Sequence, residues 1–264
     1  MEEIFPGMRQ RTLDDIIKDY FGKGTSAFLP HISINVVVFA YDHPHLKVLA
    51  HRIPGQELWI LPGGYVKKEE DLDEAACRNL RLTGIGSVFL RQVRTFGETN
   101  RLQGLSAIEQ DVSPDYASVI KWITQRFITV VYYGLVKFSD TKLAHGGISA
   151  ESKWMEVNGT DELVMDHAGI IDGTRKVLAG ELMDHPVAEN LLPVTFTMNE
   201  LRGLYESILG RNIDRGTFRR KILRQGILDK VGKIQDTPGR PADIFMFNHD
   251  SYFKSLQEET RFGF

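Results

Sequence analysis

One segment of the sequence, residues 61–85, carries carboxylates densely enough to suggest cation chemistry. Its acidic side chains are Glu69, Glu70, Asp71, Asp73 and Glu74. Carboxylates three and four residues apart share one face of a helix, and such oxygen ligands hold divalent cations that bridge diphosphate oxygens and activate water. Here, however, Glu69, Asp71, Asp73 and Glu74 form a cluster near the start of a helix predicted over 69–82. That position favours an interaction with the helix dipole over a metal site.

A second segment, from Arg211 to Arg240, has the composition of a nucleic-acid-binding surface. Nine basic and three acidic residues give it a net charge of +6, which leaves −9 on the rest of a chain whose total is −3. On a helical wheel, Phe218 and Ile222 share one face of a helix predicted over 215–225. The opposite face carries Thr217, Arg220, Lys221 and Arg224. A helix that enters the major groove needs such a basic face, because arginine can donate two hydrogen bonds to guanine.

The elements around this helix form the pattern of a winged helix-turn-helix. A capping box, Thr197-x-x-Glu200, opens a preceding helix with an apolar stripe. Two strand runs, at 227–234 and 243–247, follow the basic helix and flank a tip that carries Arg240. We expect this tip to meet phosphate or the minor groove beside the recognition helix. The alternative is a solvated basic face on a small helical subdomain.

The rest of the chain mixes helices and strands. Helices are predicted at 12–21 and 161–183, and strands at 32–41, 46–52, 57–61, 86–97, 125–137 and 152–157. The polar stretch 99–124 interrupts two strands, so we interpret it as an insertion or lid. The apolar stripe of 161–183 suits a helix between modules or against a partner subunit. Two prolines, Pro186 and Pro193, flank the predicted domain boundary.

The composition excludes several classes of protein. With 264 residues, 42% of them hydrophobic and 25% charged, the chain is neither disordered, collagen-like nor a disulfide scaffold. Its single cysteine, Cys77, cannot form an internal bridge, and we expect it to be buried on the 69–82 helix. The sequence has no run near the ~20 apolar residues of a membrane-spanning helix and no signal-peptide pattern. We therefore expect a cytoplasmic protein without a membrane partner.

Residues 61–85 resemble a Nudix box, whose pattern is Gly, five residues, Glu, seven residues and then Arg-Glu-apolar-x-Glu-Glu-x-Gly. Gly64, Glu70 and Arg78 fit this spacing, and WILPGG at 59–64 matches the strand that leads into such boxes. Where the pattern has its later glutamates, this chain has Asn79 and Leu82. The resemblance thus implies a retained helix without its metal site, in which Glu70 and Arg78 survive as a structural ion pair. We expect no catalytic residue, no metal and no cofactor.

A Nudix-like domain followed by a winged helix resembles the Nudix-related transcriptional regulators, over residues 31–248. Gly239-Arg240-Pro241-Ala242 matches that family's motif before the last wing strand. The implied fold class is α+β, a Nudix-like α/β/α sandwich with a mixed sheet and then a winged helix-turn-helix domain. The predicted divisions are an N-terminal arm and helix at 1–30, an effector-sensing domain at 31–160, a connecting and dimerisation helix with linker at 161–193, and a DNA-binding domain at 194–264.

The resemblance also implies partners: an operator in double-stranded DNA, a second copy in a homodimer, and a small-molecule effector. The effector is a sugar such as arabinose or an ADP-ribose-type nucleotide, and the decayed box favours the sugar slightly. The residues expected to bind it are Arg52, Trp59, Gly63, Gly64 and Arg94. For the arginines the alternative role is a strand-face salt bridge, and for Trp59 it is core packing.

Two other functions stay open. One is a divergent Nudix hydrolase that acts on a nucleoside diphosphate derivative with Glu70, Glu74 or the 99–124 stretch in place of the lost carboxylates. The other is an adaptor that binds protein through its winged domain. A repressor that lacks hydrolase activity is the function that the sequence favours.

Overall fold

The computed structural model describes residues 12–16, 18, 27–52, 57–86, 88–101, 115, 117–143, 151–182, 187–234 and 241–251. Its helices are α1 (Leu13–Ile16), α2 (Leu72–Arg81), α3 (Ala117–Ile123), α4 (His167–Glu181), α5 (Met198–Leu209) and α6 (Arg215–Arg224). Its strands are β1 (Phe28–Asp42), β2 (His45–Arg52), β3 (Trp59–Ile60), β4 (Gly63–Lys67), β5 (Phe89–Phe96), β6 (Ile128–Lys137), β7 (Glu151–Glu156), β8 (Phe196–Thr197), β9 (Leu228–Ile234) and β10 (Ala242–Phe247). Short 3₁₀ helices lie at Phe138–Asp140 and Val187–Asn190.

The first seven strands form one mixed sheet around the long strand β1. The order is β3-β2-β1-β6-β5, with β4 paired to β1 and β7 paired to β2. Strands β1 and β6 run parallel over ten register pairs, while the other pairs are antiparallel. Since side chains alternate along a strand, β1 supplies both faces of the sheet with core residues.

Each face of the sheet is covered by helix. Ile34, Val36 and Val38 of β1 pack with apolar residues of α2, whereas Val37 and Phe39 pack in the core that includes α4, α5 and α6. All five β1 side chains are fully buried. The result is the predicted sandwich with helix on both sides of a mixed sheet.

Helix α4 belongs to this sandwich. Its buried residues Ile170, Ile171, Thr174 and Leu178 lie in the core on the second face of the sheet. The apolar face that the sequence predicted for this helix therefore packs against the sheet of the same chain. That core continues into the C-terminal helices, so the predicted boundary between 193 and 194 separates segments that share one interior.

The C-terminal segment has the helices and strands of a winged helix. Strand β8 precedes helices α5 and α6, and strands β9 and β10 follow them, so that the three strands form a sheet of order β8-β10-β9. The capping box at the start of α5 is confirmed, because Thr197 Oγ1 accepts from the Glu200 amide and the Glu200 carboxylate accepts from the Thr197 amide. Phe218 and Ile222 of α6 are fully buried. The predicted fold class is thus confirmed, although Arg240 and the wing tip, 235–240, lie outside the described residues.

The body of the chain holds α5 at both ends. Near its start, Tyr41 Oη donates to the Glu200 carbonyl at 3.2 Å and lies 2.7 Å from His43 Nδ1. A Cβ on Gly203 would stand 2.5 Å from that hydroxyl oxygen, so glycine permits the close contact. At the other end, Arg175 of α4 donates to the Ile208 carbonyl at 3.1 Å.

Three local expectations were wrong or incomplete. Residues 63–67, between the strand predicted at 57–61 and the helix predicted at 69–82, form strand β4 because their backbone pairs with β1. Cys77 is exposed, since Ala75, Ala76, Asn79 and Leu80 take the buried face of α2. The described part of the 99–124 stretch contains helix α3, and its Trp122 packs against Phe28 and Phe127. Among the described helices, none combines the length and apolarity needed to cross a bilayer.

Candidate nucleic-acid interface and box site

The segment between β4 and α2, residues 68–71, is fixed to α2 by an ion pair between Glu70 and Arg78. Arg78 Nη2 lies 2.5 Å from Glu70 Oε1, and Arg78 Nε donates to Glu70 Oε2 at 2.9 Å. Arg78 also donates to the Tyr65 carbonyl at 2.8 Å. Although burial opposes it, hydrogen bonds from Arg78 and from the Lys67 amide hold the pKa of Glu70 below its ordinary value. Glu70 is therefore an ionised structural group, and its oxygens are already occupied.

The position after Arg78 is closed rather than open to a ligand. Asn79 is 2% exposed, and its amide donates to the Ala75 carbonyl at 2.9 Å. A Cβ on Gly64 would lie 2.6 Å from Asn79 Oδ1. Asn79 thus fills the space between α2 and β4 with a neutral amide. Within the described residues, no group of three or more His, Cys, Asp or Glu side chains could hold a metal ion.

The remaining acids of this segment act on the backbone and on a tyrosine. Asp71 caps α2 by accepting from the Glu74 amide at 2.8 Å, and Glu74 accepts from the Asp71 amide in return. Asp73 accepts from Tyr132 Oη at 2.5 Å. The first-turn carboxylates therefore have partners in the fold, in keeping with a capping role.

The five residues expected to bind an effector do not converge on one point. Arg52 and Trp59 are register partners on β2 and β3, whereas Gly63 and Gly64 pair with β1. Arg94 lies on β5, at the other side of the sheet. Strands β1 and β6 separate it from β2, which is a lateral distance of roughly 14 Å at the usual strand spacing.

The side chains of Arg52, Trp59 and Arg94 also have local partners. Arg52 forms salt bridges with Glu57 at 3.2 Å and Glu151 at 3.0 Å. Trp59 is 7% exposed, and the Lys153 ammonium stands 4.0 Å from its ring centroid. The Arg94 guanidinium lies 4.2 Å from the centroid of the Phe96 ring. The effector-binding role of these residues stays a prediction.

The outward face of α6 presents two exposed arginines, Arg220 and Arg224. Neither forms a salt bridge with a carboxylate in the described part of the chain. Arg220 makes a long contact of 3.4 Å with Thr217 Oγ1, and both Thr217 and Lys221 are half-buried. Asp214 caps the helix by accepting from the Thr217 amide at 2.8 Å. Chemically, this face can donate hydrogen bonds to base edges or phosphates.

Sequence reasoning missed two charged clusters. Arg219 and Lys230 both bind Asp243, which joins α6 to the wing strands. In the body, Arg101 is 4% exposed and binds Asp166 together with the Phe127 carbonyl. No local pattern marks either cluster, because each joins residues that are far apart in sequence.

Residues 188–247 match the family model described as the NrtR DNA-binding winged helix domain. Over 245 residues, covering 88% of this chain and 89% of the relative, the chain is 27% identical to the ADPR responsive transcriptional repressor NtrR of Acinetobacter baylyi. Its fold is similar to that of Shewanella oneidensis NrtR, crystallised with a 27mer DNA (TM-score 0.62, 24% identity, 84% of this chain and 95% of that chain). It is also similar to a MutT/nudix family protein from Enterococcus faecalis (TM-score 0.59, 19% identity, 91% of this chain and 95% of that chain). The resemblance read from the sequence is therefore confirmed: this chain joins a Nudix-like fold to an NrtR-type winged helix domain, the architecture of a Nudix-related regulator.

Proposed function

We propose that this chain is a DNA-binding transcriptional repressor whose Nudix-like domain binds an ADP-ribose-type nucleotide. The observation that carries the proposal is the basic face of α6, Thr217, Arg220, Lys221 and Arg224, within a segment that matches a DNA-binding family model. Its two exposed arginines have no carboxylate partner among the described residues, so they are available to base edges and phosphates.

The DNA-binding role is tested by substitution on α6. A duplex is first selected from random DNA with the intact protein, and its affinity is then measured by fluorescence anisotropy. Arg220→Ala and Arg224→Ala are each expected to lose about 1–3 kcal/mol of binding free energy. Arg81→Ala, which removes an exposed arginine from α2, is the matched control and should bind like the parent. Full affinity in both α6 variants would overturn the assignment.

We infer that the effector is a nucleotide rather than a sugar. The Acinetobacter baylyi relative is named as responsive to ADPR, which outweighs the slight preference for a sugar drawn from the decayed box. A ligand that binds only the folded chain raises the melting temperature. We expect ADP-ribose to raise it and to change the affinity for the selected duplex, whereas arabinose does neither. The reverse result would establish the sugar.

In the proposed role, the protein binds ADP-ribose without hydrolysing it. Asn79 is buried against Gly64, and Glu70 is held by Arg78, so neither side chain is placed to bind a cation. Incubation of the protein with ADP-ribose and Mg²⁺, followed by chromatography, is expected to return intact ADP-ribose. Release of AMP that disappears in Glu70→Gln would support a divergent hydrolase instead.

We also propose that the repressor acts as a homodimer. Two winged modules would then lie about one DNA turn, roughly 34–36 Å, apart on a palindromic site. Light scattering of the free protein and footprinting on the selected duplex test this directly. A monomer that protects a single half-site would contradict it.

A further inference from the structure

One carboxylate of the winged module, that of Asp243, binds cations from two different elements. Asp243 Oδ2 is 3.1 Å from Arg219 Nη2 of α6, and Asp243 Oδ1 is 2.6 Å from Lys230 Nζ of β9. The Asp243 side chain is 20% exposed, while the two cations are 44% and 49% exposed. We call this trio the Asp243 clamp. It joins the recognition helix to both strands of the wing.

The clamp is charged under ordinary conditions. Hydrogen bonds from Lys230 and then from Arg219 hold the pKa of Asp243 below its usual value, although desolvation acts in the opposite direction. The Arg219 guanidinium also lies 5.7 Å from the centroid of the Phe245 ring. Arg219 is therefore directed toward the wing by two separate contacts.

The clamp separates Arg219 from Arg220 and Arg224 of the same helix. Arg219 and Arg220 are adjacent, so their side chains leave the helix about 100° apart. Arg219 turns to Asp243, whereas Arg220 and Arg224 stay exposed with no salt bridge in the described residues. Cations held by a carboxylate contribute less to phosphate binding, because their charge is already compensated.

This difference matters for specificity. Phosphate contacts raise the affinity for every sequence, whereas base contacts distinguish one sequence from another. Two additional free cations beside the recognition helix would strengthen binding to any duplex. A carboxylate that binds both of them restricts this sequence-independent contribution.

Resting on the proposed DNA-binding function, we propose that Asp243 is a specificity-determining positioning residue. It holds Arg219 and Lys230 away from the phosphate backbone, so that Arg220 and Arg224 dominate contact with DNA. The ligand remains double-stranded DNA, and Asp243 sets the ratio of the affinity for the specific site to the affinity for other sequences.

The test is the isosteric variant Asp243→Asn, measured on the selected duplex and on random duplex across a salt series. Each cation that newly neutralises a phosphate steepens the plot of log K against log salt by about 0.9, so release of both adds about 1.8. From about 50 to about 200 mM salt, the affinity of the variant for random duplex should fall roughly tenfold more than that of the parent. Its preference for the selected duplex should shrink accordingly.

Two companion variants separate the clamp from general effects. Asp229→Asn makes the same change of charge on the wing, at an exposed aspartate that accepts from Asn248, and should leave the salt slope near that of the parent. Arg219→Gln combined with Asp243→Asn should remove about half of the added slope. Circular dichroism and thermal melting establish that each variant is folded.

The outcomes are distinguishable. If the parent binds no duplex, the proposed function fails. If the parent binds DNA, and Asp243→Asn is folded but shows no steeper slope and no loss of preference, this inference alone fails. An equal steepening in Asp229→Asn would also overturn it, because bulk charge would then explain the result.

Discussion

Helices α2 and α6 have the same length and the same kind of cap, yet Arg78 of α2 is bound within the fold whereas Arg220 and Arg224 of α6 are exposed. Each has ten residues and begins after an aspartate whose side chain accepts from a backbone amide at 2.8 Å. On α2, Arg78 is bound to Glu70 and to a backbone carbonyl. On α6, Arg220 and Arg224 face outward without a salt bridge among the described residues. An arginine therefore serves the fold or a ligand according to which acceptors the surrounding chain places within reach.

The largest effect is expected from breaking the α2 pair. In Arg78→Ala, Glu70 stays largely buried without its cation, and loss of one partner of a buried pair costs about 3–5 kcal/mol of unfolding free energy. Urea denaturation measures this cost. Arg81→Ala, an exposed arginine on the same helix, should change stability by less than about 0.5 kcal/mol. Equal losses in the two variants would remove the distinction between the buried and the exposed arginine.

Acid should destabilise the body through its buried histidines. Burial, and to a lesser extent Arg101, lowers the pKa of His167 to about 3, and its Nδ1 accepts from the Leu61 amide at 3.1 Å. In the unfolded chain the same imidazole gains its proton near pH 6.5. The free energy of unfolding is therefore unaffected by this group above pH 6.5. It falls by about 1.4 kcal/mol per unit as the pH decreases from 6.5 toward 3.

A variant separates this effect from general acid denaturation. His167→Asn keeps an acceptor for the Leu61 amide but has no imidazole to protonate. Below pH 6.5, the slope of its unfolding free energy against pH should be smaller than that of the parent by about 1.4 kcal/mol per pH unit. His51, whose pKa burial lowers to about 4, still titrates in this variant. A parent-like slope in His167→Asn would contradict the assignment.

The smallest effects are expected at the two caps. Asp71→Ala removes one capping bond from α2 and should cost about 1 kcal/mol of stability without a change in DNA affinity. Asp214→Ala removes the equivalent bond from α6 and should weaken DNA binding as well, since the first turn of the recognition helix frays. Thermal melting and anisotropy titrations test both variants. A loss of DNA affinity in Asp71→Ala would mean that the two helices are not functionally separate.

Local patterns predicted the capping box, the amphipathic α6 and the spacing of Glu70 and Arg78, because each depends on residues at most eight positions apart. The Asp243 clamp joins positions 219, 230 and 243 through the wing hairpin. Arg101 meets Asp166 across 65 positions. Such pairs depend on tertiary contacts, and a single sequence carries no signal for them. The prediction that Cys77 is buried was wrong for a different reason. The small, apolar character of a residue does not by itself decide which face of a helix it takes.

The double attachment of α5 limits how a signal can travel. Tyr41 holds one end of this helix and Arg175 the other, with no Cβ at Gly203 to keep the hydroxyl away. While both hydrogen bonds persist, the winged domain cannot rotate independently of the Nudix-like domain of its own subunit. In the proposed dimer, an effector that leaves these two hydrogen bonds intact can change the distance between the two winged domains only by moving one subunit relative to the other.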